Sequence, residues 1–297
     1  MILSYHPCYE ADMNRLCAGR QPDRYDLKAI QMAYTVILPQ GCSDALYNMV
    51  RSNCKFVFPN WDTRFDYPGK TGQIRLFRKI GRKISIAHPQ SYLFKDMRSY
   101  NLRKSKLTFQ EIEPYPFVFK LNYGGEGQAV FLIQSDTDFK EKIRLAIKQE
   151  KNGWPGFLVQ RYIPSRNRSL RVCVIGRRYV AYWRIQKNKK QFGTSLAQGA
   201  TIDAVADPQL RDAGIKAAQA FCRLTGINLA GFDFIFADQE EKPPPLFLEI
   251  NYFFGRKGLG GSQAFYDILE EEIQAWITEL PSVCDALMTQ TEVCTPI

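Results

Sequence analysis

Two apolar runs late in the chain restrict its fold more than any other feature. Residues 229–236 carry a single carboxylate, Asp233, in an otherwise apolar stretch. Residues 246–251 read Leu-Phe-Leu-Glu-Ile-Asn and end in a carboxylate and a carboxamide, Glu249 and Asn251. Side chains alternate faces along a strand, so Glu249 and Asn251 point one way and Ile250 points toward a core. The segment 237–245 between the runs is polar and proline-rich, which predicts a hairpin loop. Antiparallel pairing then sets Asp233 beside Glu249 and Asn251. Three oxygen donors on one sheet face suit a hard cation such as Mg2+, above all one shared with phosphates. Each residue alone reads better as a local cap or a solvated sheet position. All three across one hairpin favour the metal.

The chain of 297 residues is long enough for two or three subdomains with cores of their own. Hydrophobic residues make up 45% and charged residues 24%, as in ordinary globular proteins. No apolar run has the length of a bilayer span, and the N-terminus lacks the features of a signal peptide. The chain is therefore expected to be cytoplasmic and free of membranes. Its eight cysteines form no CxxC pair, so they read as reduced thiols and not as zinc ligands. Cys8 and Cys17 near His6 are the weaker, metal-binding alternative. The net charge of +10 fits either nucleic-acid binding or a site that draws in a polyanionic nucleotide and an acidic substrate.

Upstream, residues 1–9 predict a strand stopped at Pro7, 26–33 a short helix, and 33–39 and 54–60 two further strands. Ser43 is placed to cap a helix with Leu46, Met49 and Val50 on its apolar face. This spacing makes a small parallel α/β unit. Residues 61–69 are aromatic and turn-rich and read as a linker. From Lys70 onward, Ile74, Phe77 and Ile80 recur at helical spacing until Gly81. Residues 98–106 are basic and polar, and 109–113 are helical or irregular.

A second strong signal lies in 116–133. Two β-rich runs flank Gly124-Gly125-Glu126-Gly127, with Lys120 just ahead of the turn. Such glycines let backbone N–H groups approach phosphate oxygens, and the lysine adds a point charge. The stretch is neither a Walker loop nor a dinucleotide fingerprint. An ordinary glycine hairpin is an equal alternative for this stretch alone. Residues 135–151 predict an amphipathic helix with Phe139, Ile143, Ala146 and Ile147 as its stripe. Strands follow at 156–164, 169–176 and 179–185. Arg171 and Arg184 lie inside these strands, where a guanidinium is more useful as an anion ligand. Residues 192–201 form a glycine-containing loop suited to facing a substrate. Helices are expected from Asp207 to near Gly226 and over 265–280. Residues 281–297 have no pattern and are expected to fray.

In this order the features resemble the ATP-grasp superfamily of carboxylate–amine ligases, in particular the branch with glutathione synthetase and the ribosomal-protein glutamate ligases. The likeness runs roughly from Asn60 to Leu280. Lys70-Thr71-Gly72-Gln73 resembles the segment of the first nucleotide lysine, and His88-Pro89-Gln90-Ser91 a Pro-x-Thr element. Lys120 resembles the second lysine, and Gly124, Gly125 and Gly127 the mobile phosphate loop. Gln160, Arg161, Tyr162 and Ile163 resemble the hinge that holds adenine through backbone groups. Ser169-Leu170-Arg171 resembles an Asp-x-Arg element. Asp233, Glu249 and Asn251 resemble the magnesium ligands.

The resemblance implies an α/β (α+β) ATP-grasp fold. A small N-terminal parallel α/β domain would span 1–68 and the ATP-grasp domain 69–280. The latter would divide into a central subdomain, 69–160, and a metal-binding subdomain, 161–280, before a tail, 281–297. It implies an ADP-forming enzyme using ATP and Mg2+, with Mn2+ as an alternative. A carboxylate of a small acid, amino acid or peptide would become an acylphosphate and be attacked by an amine. Arg171 and Arg184 would be catalytic, binding that carboxylate and steadying developing charge. Partners would be these substrates and neither membrane nor nucleic acid, and homo-oligomers occur among relatives. Two other readings stay open: an ATP-grasp kinase acting on a hydroxyl, and a nucleotide-binding protein without catalysis. Substituting Asp233 or Glu249 with alanine is expected to stop ADP release and leave the fold largely intact.

Some positions depart from the family pattern. Ser169 stands where relatives often carry an acid, and Arg161 where they often carry Glu. Residues 252–261 are longer and more aromatic than a Ser-Pro-Gly type of loop. Arg256 and Lys257 there read equally as ligands for an acidic substrate and as a solvated basic turn. His88 reads as structural.

Overall fold

The computed structural model describes residues 1–104, 114–125 and 127–281. The expectations for 109–113, Glu126 and the tail beyond Pro281 lie outside the described residues. Three sheets organise the rest. The first is fully parallel, with strands β1 (Ile2–Ser4), β2 (Met13–Asn14), β3 (Thr35–Ile37) and β4 (Phe56–Phe58) in the order β2-β1-β3-β4. Helices α1 (Arg24–Met32) and α2 (Asp44–Asn53) connect them. Asp23 and Asp26 form a capping box on α1, and the Ser43 hydroxyl accepts the Leu46 N–H at the start of α2.

Residues 61–69 are not a linker. Trp61 is fully buried, and helix α3 (Asp62–Asp66) follows it. The Arg64 guanidinium lies over the rings of Trp61 and Phe65, 4.7 and 4.8 Å from their centroids. The aromatic content that suggested a turn is core packing.

The second sheet is antiparallel. Its strands are β5 (Ser91–Phe94), β6 (Phe117–Leu121), β7 (Val130–Ile133) and β8 (Phe157–Arg161), in the order β5-β8-β6-β7. Helices α5 (Met97–Lys104) and α6 (Asp136–Lys151) pack on it. Phe94, Phe119 and Phe157 stack in its core, with centroids 4.8 and 4.9 Å apart. The apolar stripe of α6 is narrower than expected: Phe139 and Ala146 are buried, whereas Ile147 faces solvent.

The third sheet carries the strands first singled out in the sequence. Strands β9 (Arg168–Ile175), β10 (Arg178–Ile185), β11 (Thr201–Asp203), β12 (Leu229–Ile235) and β13 (Leu246–Asn251) run antiparallel in the order β11-β10-β9-β12-β13. Strand β11 falls in and just after the loop read at 192–201. Helices α7 (Pro208–Thr225) and α8 (Ser262–Thr278) pack on this sheet. The first and third sheets share one continuous apolar core, and the second keeps its own. No helix among the described residues is long and apolar enough to cross a membrane.

Helix α4 (Gly69–Ile80) joins the second and third sheets. At its start the Lys70 N–H donates to the Asn122 carbonyl at 3.0 Å. Both the N–H and the hydroxyl of Thr71 donate to Asn122 Oδ1 at 2.9 Å. Gly69 has φ +68°, and a Cβ there would stand 2.5 Å from Asn122 Oδ1, so only glycine lets the helix begin this close. One turn on, the Gln73 carboxamide donates to the Ile250 carbonyl at 2.7 Å and accepts the Ile250 N–H at 2.9 Å. A side chain thus pairs the outer edge of β13 at Ile250, as the Ala87 carbonyl does at the Phe247 N–H, 2.8 Å away. Phe77 then packs against Phe221 and Phe247 at 5.9 and 5.4 Å. Replacing Gln73 with leucine leaves two buried backbone groups unpaired. Urea unfolding is expected to show a loss of about 2–4 kcal/mol; a change within about 0.5 kcal/mol would mean that the β13 edge does not depend on Gln73.

Candidate active site

The site begins with the register of β12 and β13. Asp233 faces Glu249, but Phe234 faces Phe247, so Leu248 is the extra residue of a β-bulge. Strict alternation would put Phe247 on the same face as Glu249. The bulge instead turns both Phe247 and Ile250 into the core, while Leu248, Glu249 and Asn251 line a cleft of about 630 Å3. In β6, Phe117, Phe119 and Leu121 enter the core of the second sheet, and Val118 and Lys120 face the same cleft.

Asp233 is almost fully buried, and its charge is matched at close range. Arg171 donates to both of its oxygens, Nε to Oδ1 at 2.6 Å and Nη2 to Oδ2 at 3.0 Å. Arg184 Nη2 lies 2.7 Å from Oδ1, and Asn251 Nδ2 donates to Oδ2 at 3.1 Å. Burial alone would raise this carboxyl, but the two guanidinium groups outweigh it and hold it below the usual carboxylate range. Arg171 fits because Gly231 has no side chain: a Cβ there would stand 2.9 Å from the guanidinium. Arg184 also donates to the Ser169 hydroxyl at 3.1 Å, and Ser169 meets the Thr194 hydroxyl at 2.6 Å. A Ser–Thr contact therefore ties the 192–200 loop to this cluster.

The two lysines face Glu249 from the other side. Lys70 Nζ donates to the Gly124 carbonyl at 2.7 Å and lies 3.3 Å from Glu249 Oε1. The Lys120 amine has no hydrogen-bond or ion-pair partner among the described residues. Burial pulls its amine down to about 8; Glu249 opposes this and Lys70 adds to it. Gly124, Gly125 and Gly127 line the cleft beside these amines, and the Gln198 carboxamide packs against Gly127. Six cationic side chains border the cleft, Lys70, Lys120, Arg161, Arg168, Arg171 and Arg184, against two carboxylates, Asp233 and Glu249. That surplus favours a polyanion.

The segment from Gln160 to Ile163 also lines the cleft, but its members differ. Gln160 pairs with strands on both sides, and its buried carboxamide donates to Ser91 Oγ at 2.9 Å. The Arg161 N–H donates to the Gln90 carbonyl at 2.8 Å. Beyond the end of β8, no hydrogen bond involves the main chain of Tyr162 or Ile163 among the described residues. Val118, Val130 and Leu248 provide apolar lining.

The structure gathers the two lysines, the glycines, residues 160–163, the two arginines and the three oxygen donors named from the sequence around one cleft. It separates the basic pair of the 252–261 loop from that cleft: Phe253, Phe254 and Gly255 line it, whereas Arg256 and Lys257 do not. Sequence reasoning missed Arg168, which lies over the Trp183 ring at 4.2 Å and pairs with Asp207. It also missed Thr194 and Leu248, because neither a loop hydroxyl nor a bulge has a distinctive pattern. His88 packs 6.1 Å from Phe77 outside the cleft lining, with burial lowering its basicity. No group of three or more His, Cys, Asp or Glu suited to a metal occurs among the described residues, Cys8, Cys17 and His6 included. The oxygen trio on β12 and β13 contains only two carboxylates and reaches three donors through Asn251.

A family model described as a RimK-like ATP-grasp domain matches residues 76–273, well over half of the chain. A probable alpha-L-glutamate ligase of Xanthomonas campestris pv. campestris is 33% identical over 150 residues, 50% of this chain and 47% of that protein. One of Xylella fastidiosa is 29% identical over 148 residues, 49% of this chain and 45% of that protein. The chain spans about half the length of the curated relatives it matches. Among solved structures, a RimK domain protein ATP-grasp from Sphaerobacter thermophilus has a TM-score of 0.56 at 12% identity, covering 92% of this chain and 100% of that one. D-alanine–D-alanine ligase from Bacillus anthracis has a TM-score of 0.59 at 14% identity, covering 90% and 89%. These two likenesses concern the fold.

The burial of Asp233 changes the outcome expected of its substitution. Asp233→Ala leaves two guanidinium groups without their carboxylate, so it is expected to cost about 3–5 kcal/mol at neutral pH. Because the folded carboxyl is depressed, its contribution is present above the unfolded value of about 3.9 and is lost as pH falls through the lower folded value. Denaturant melts of both proteins from neutral to acidic pH check this. A stability gap that closes well above pH 4 would contradict the pairing.

Proposed function

The chain belongs to the RimK-like ATP-grasp family, and from that premise we propose that it is an ATP- and Mg2+-dependent, ADP-forming carboxylate–amine ligase. One observation carries the reading: Asp233, Glu249 and Asn251 stand in adjacent register opposite two buried lysines in a cation-rich cleft. Their oxygens form a hard donor set, and Asn251 spends its Nδ2 on Asp233, which leaves Oδ1 for a cation. Asp233, Glu249 and Asn251 would hold Mg2+, which would supply positive charge against the triphosphate. Lys70 and Lys120 neutralise the same phosphates, and the N–H groups near Gly124, Gly125 and Gly127 cradle them. The main chain of Tyr162 and Ile163 is available to an adenine edge, between the apolar walls of Val118, Val130 and Leu248. Arg171 and Arg184 steady the substrate carboxylate as it takes the γ-phosphoryl group and ADP leaves. The amine then attacks the acylphosphate, and phosphate departs. The names of the curated relatives support L-glutamate as one substrate.

Glu249 tests the site more cleanly than Asp233, since its side chain is about a quarter exposed, at 28%, and bonded less tightly. Glu249→Gln is expected to lower ADP release by about 100-fold or more with little change in melting temperature. An ADP-release screen over L-glutamate, other amino acids and acidic peptides, with hydroxylamine trapping of the activated acid, supplies the measurement. Full activity in Glu249→Gln would remove it from the site. A phosphorylated hydroxyl as product would replace ligation with a kinase. Since burial pulls the Lys120 amine down to about 8, ATP affinity is expected to fall from pH 7 to pH 9 in the wild type. Lys120→Met is expected to bind ATP more weakly and with a flat profile over that range, as titration calorimetry would show.

A further inference from the structure

One cluster of cationic and nucleophilic side chains lies outside the cleft lining. It forms where the loop after β1 meets the loop after β13. His6 and Cys8 follow β1, an inner strand of the parallel sheet, at the end where open α/β sheets take ligands. Arg256 is one residue beyond Gly255 of the cleft wall. Its guanidinium lies over Phe265 and Tyr266, 4.8 and 4.4 Å from their centroids. Among the described residues it makes no ion pair; it donates to Ser262 Oγ at 3.4 Å and bonds to the Tyr266 phenol. Phe265 is fully buried and meets Phe254 edge-on at 5.9 Å, which fixes the stack.

His6 supplies a second, independent sign of a ligand. Only 8% of it is exposed, and its ring is edge-on to Tyr266 at 5.9 Å. Nδ1 accepts the Cys8 N–H at 3.2 Å. Burial and nearby Arg256 pull its basicity down to about 4, so the ring is neutral near pH 7 and carries its proton on Nε2. That Nε2–H has no acceptor among the described residues. Burial and the Cys8 thiol push the Tyr266 phenol up, while Arg256 pulls it down, as befits groups gathered at one place.

We propose that Arg256, His6 and Tyr266 form a subsite for a non-reacting carboxylate of an acidic substrate, with Cys8 at its rim. The subsite deepens the ligase reading and rests on it. The groups gather around one tyrosine: the Arg256 guanidinium lies over the Tyr266 ring and bonds to its phenol, and the His6 imidazole meets the same ring edge-on. A preset arginine fork takes a carboxylate with little loss of side-chain freedom. Lys257 is exposed and has no part in it.

Cys8 gives a readout separate from turnover. It is exposed, whereas Cys42, Cys54, Cys173 and Cys222 are buried. In the full chain, saturating L-glutamate is expected to slow iodoacetamide alkylation of Cys8 several-fold, read by peptide mass spectrometry. Sodium chloride at equal ionic strength is not. Arg256→Met keeps an apolar stem on the rings, removes the charge and is expected to abolish protection; Arg256→Lys is expected to retain part of it. KM for L-glutamate is expected to rise about tenfold in Arg256→Met, with KM for ATP unchanged. Equal protection in Arg256→Met and wild type, or none in the wild type, would overturn the subsite. Should Arg256→Met fail to fold, Arg256→Gln carries the comparison, and undiminished protection there would overturn it. Protection without glutamate-dependent ADP release would support the subsite while overturning the ligase reading, so the two failures are distinct.

Discussion

The buried carboxylate of Asp233 is the constraint on which the rest of the site depends. A charge in the middle of a sheet is costly unless it is paired and hydrogen-bonded. Here the pairing is supplied across β9, β10, β12 and β13, through Arg171, Arg184 and Asn251. Each partner sits on a strand, so their positions are set by sheet register and not by loops. The same register puts Asp233 opposite Glu249 on one side and Arg171 on the other. Structure and chemistry thus rest on one set of cross-strand pairs. Removing Asp233 therefore perturbs both at once, whereas Glu249 can be altered with less effect on the sheet.

Helix α4 provides the complementary constraint. Lys70 reaches the glycine turn of the second sheet and Glu249 of the third, while Thr71 and Gln73 bond to one sheet each. Three residues within one helical turn therefore fix where the glycine turn and the paired strands sit relative to each other. The second sheet has a separate core, so the contacts of α4 carry much of the coupling between the two walls of the cleft.

The elements carrying the site were legible because their sequences obey simple rules. The hairpin of β12 and β13 follows from two apolar runs around a polar, proline-rich break. Ser43, Ser135 and Gly226 mark helix ends by the chemistry of their side chains or, for Gly226, by a left-handed backbone. What stayed hidden depends on tertiary context. The bulge at Leu248 is set by the pairing of β13 with β12. Trp61 resembled a loop residue because only the folded core shows what covers it. Arg256 and Lys257 are neighbours in the sequence, yet only Arg256 has rings beneath it. The depression of the Asp233 carboxyl required knowing that two distant arginines meet it.

The central claim is that a carboxylate is activated by phosphoryl transfer in this cleft. The most direct measurement supplies the acid substrate with 18O in its reacting carboxylate and analyses the phosphate released with ADP. Ligation through an acylphosphate predicts that one 18O atom per turnover moves from the acid to inorganic phosphate. ADP formation with no label in the phosphate would contradict the account.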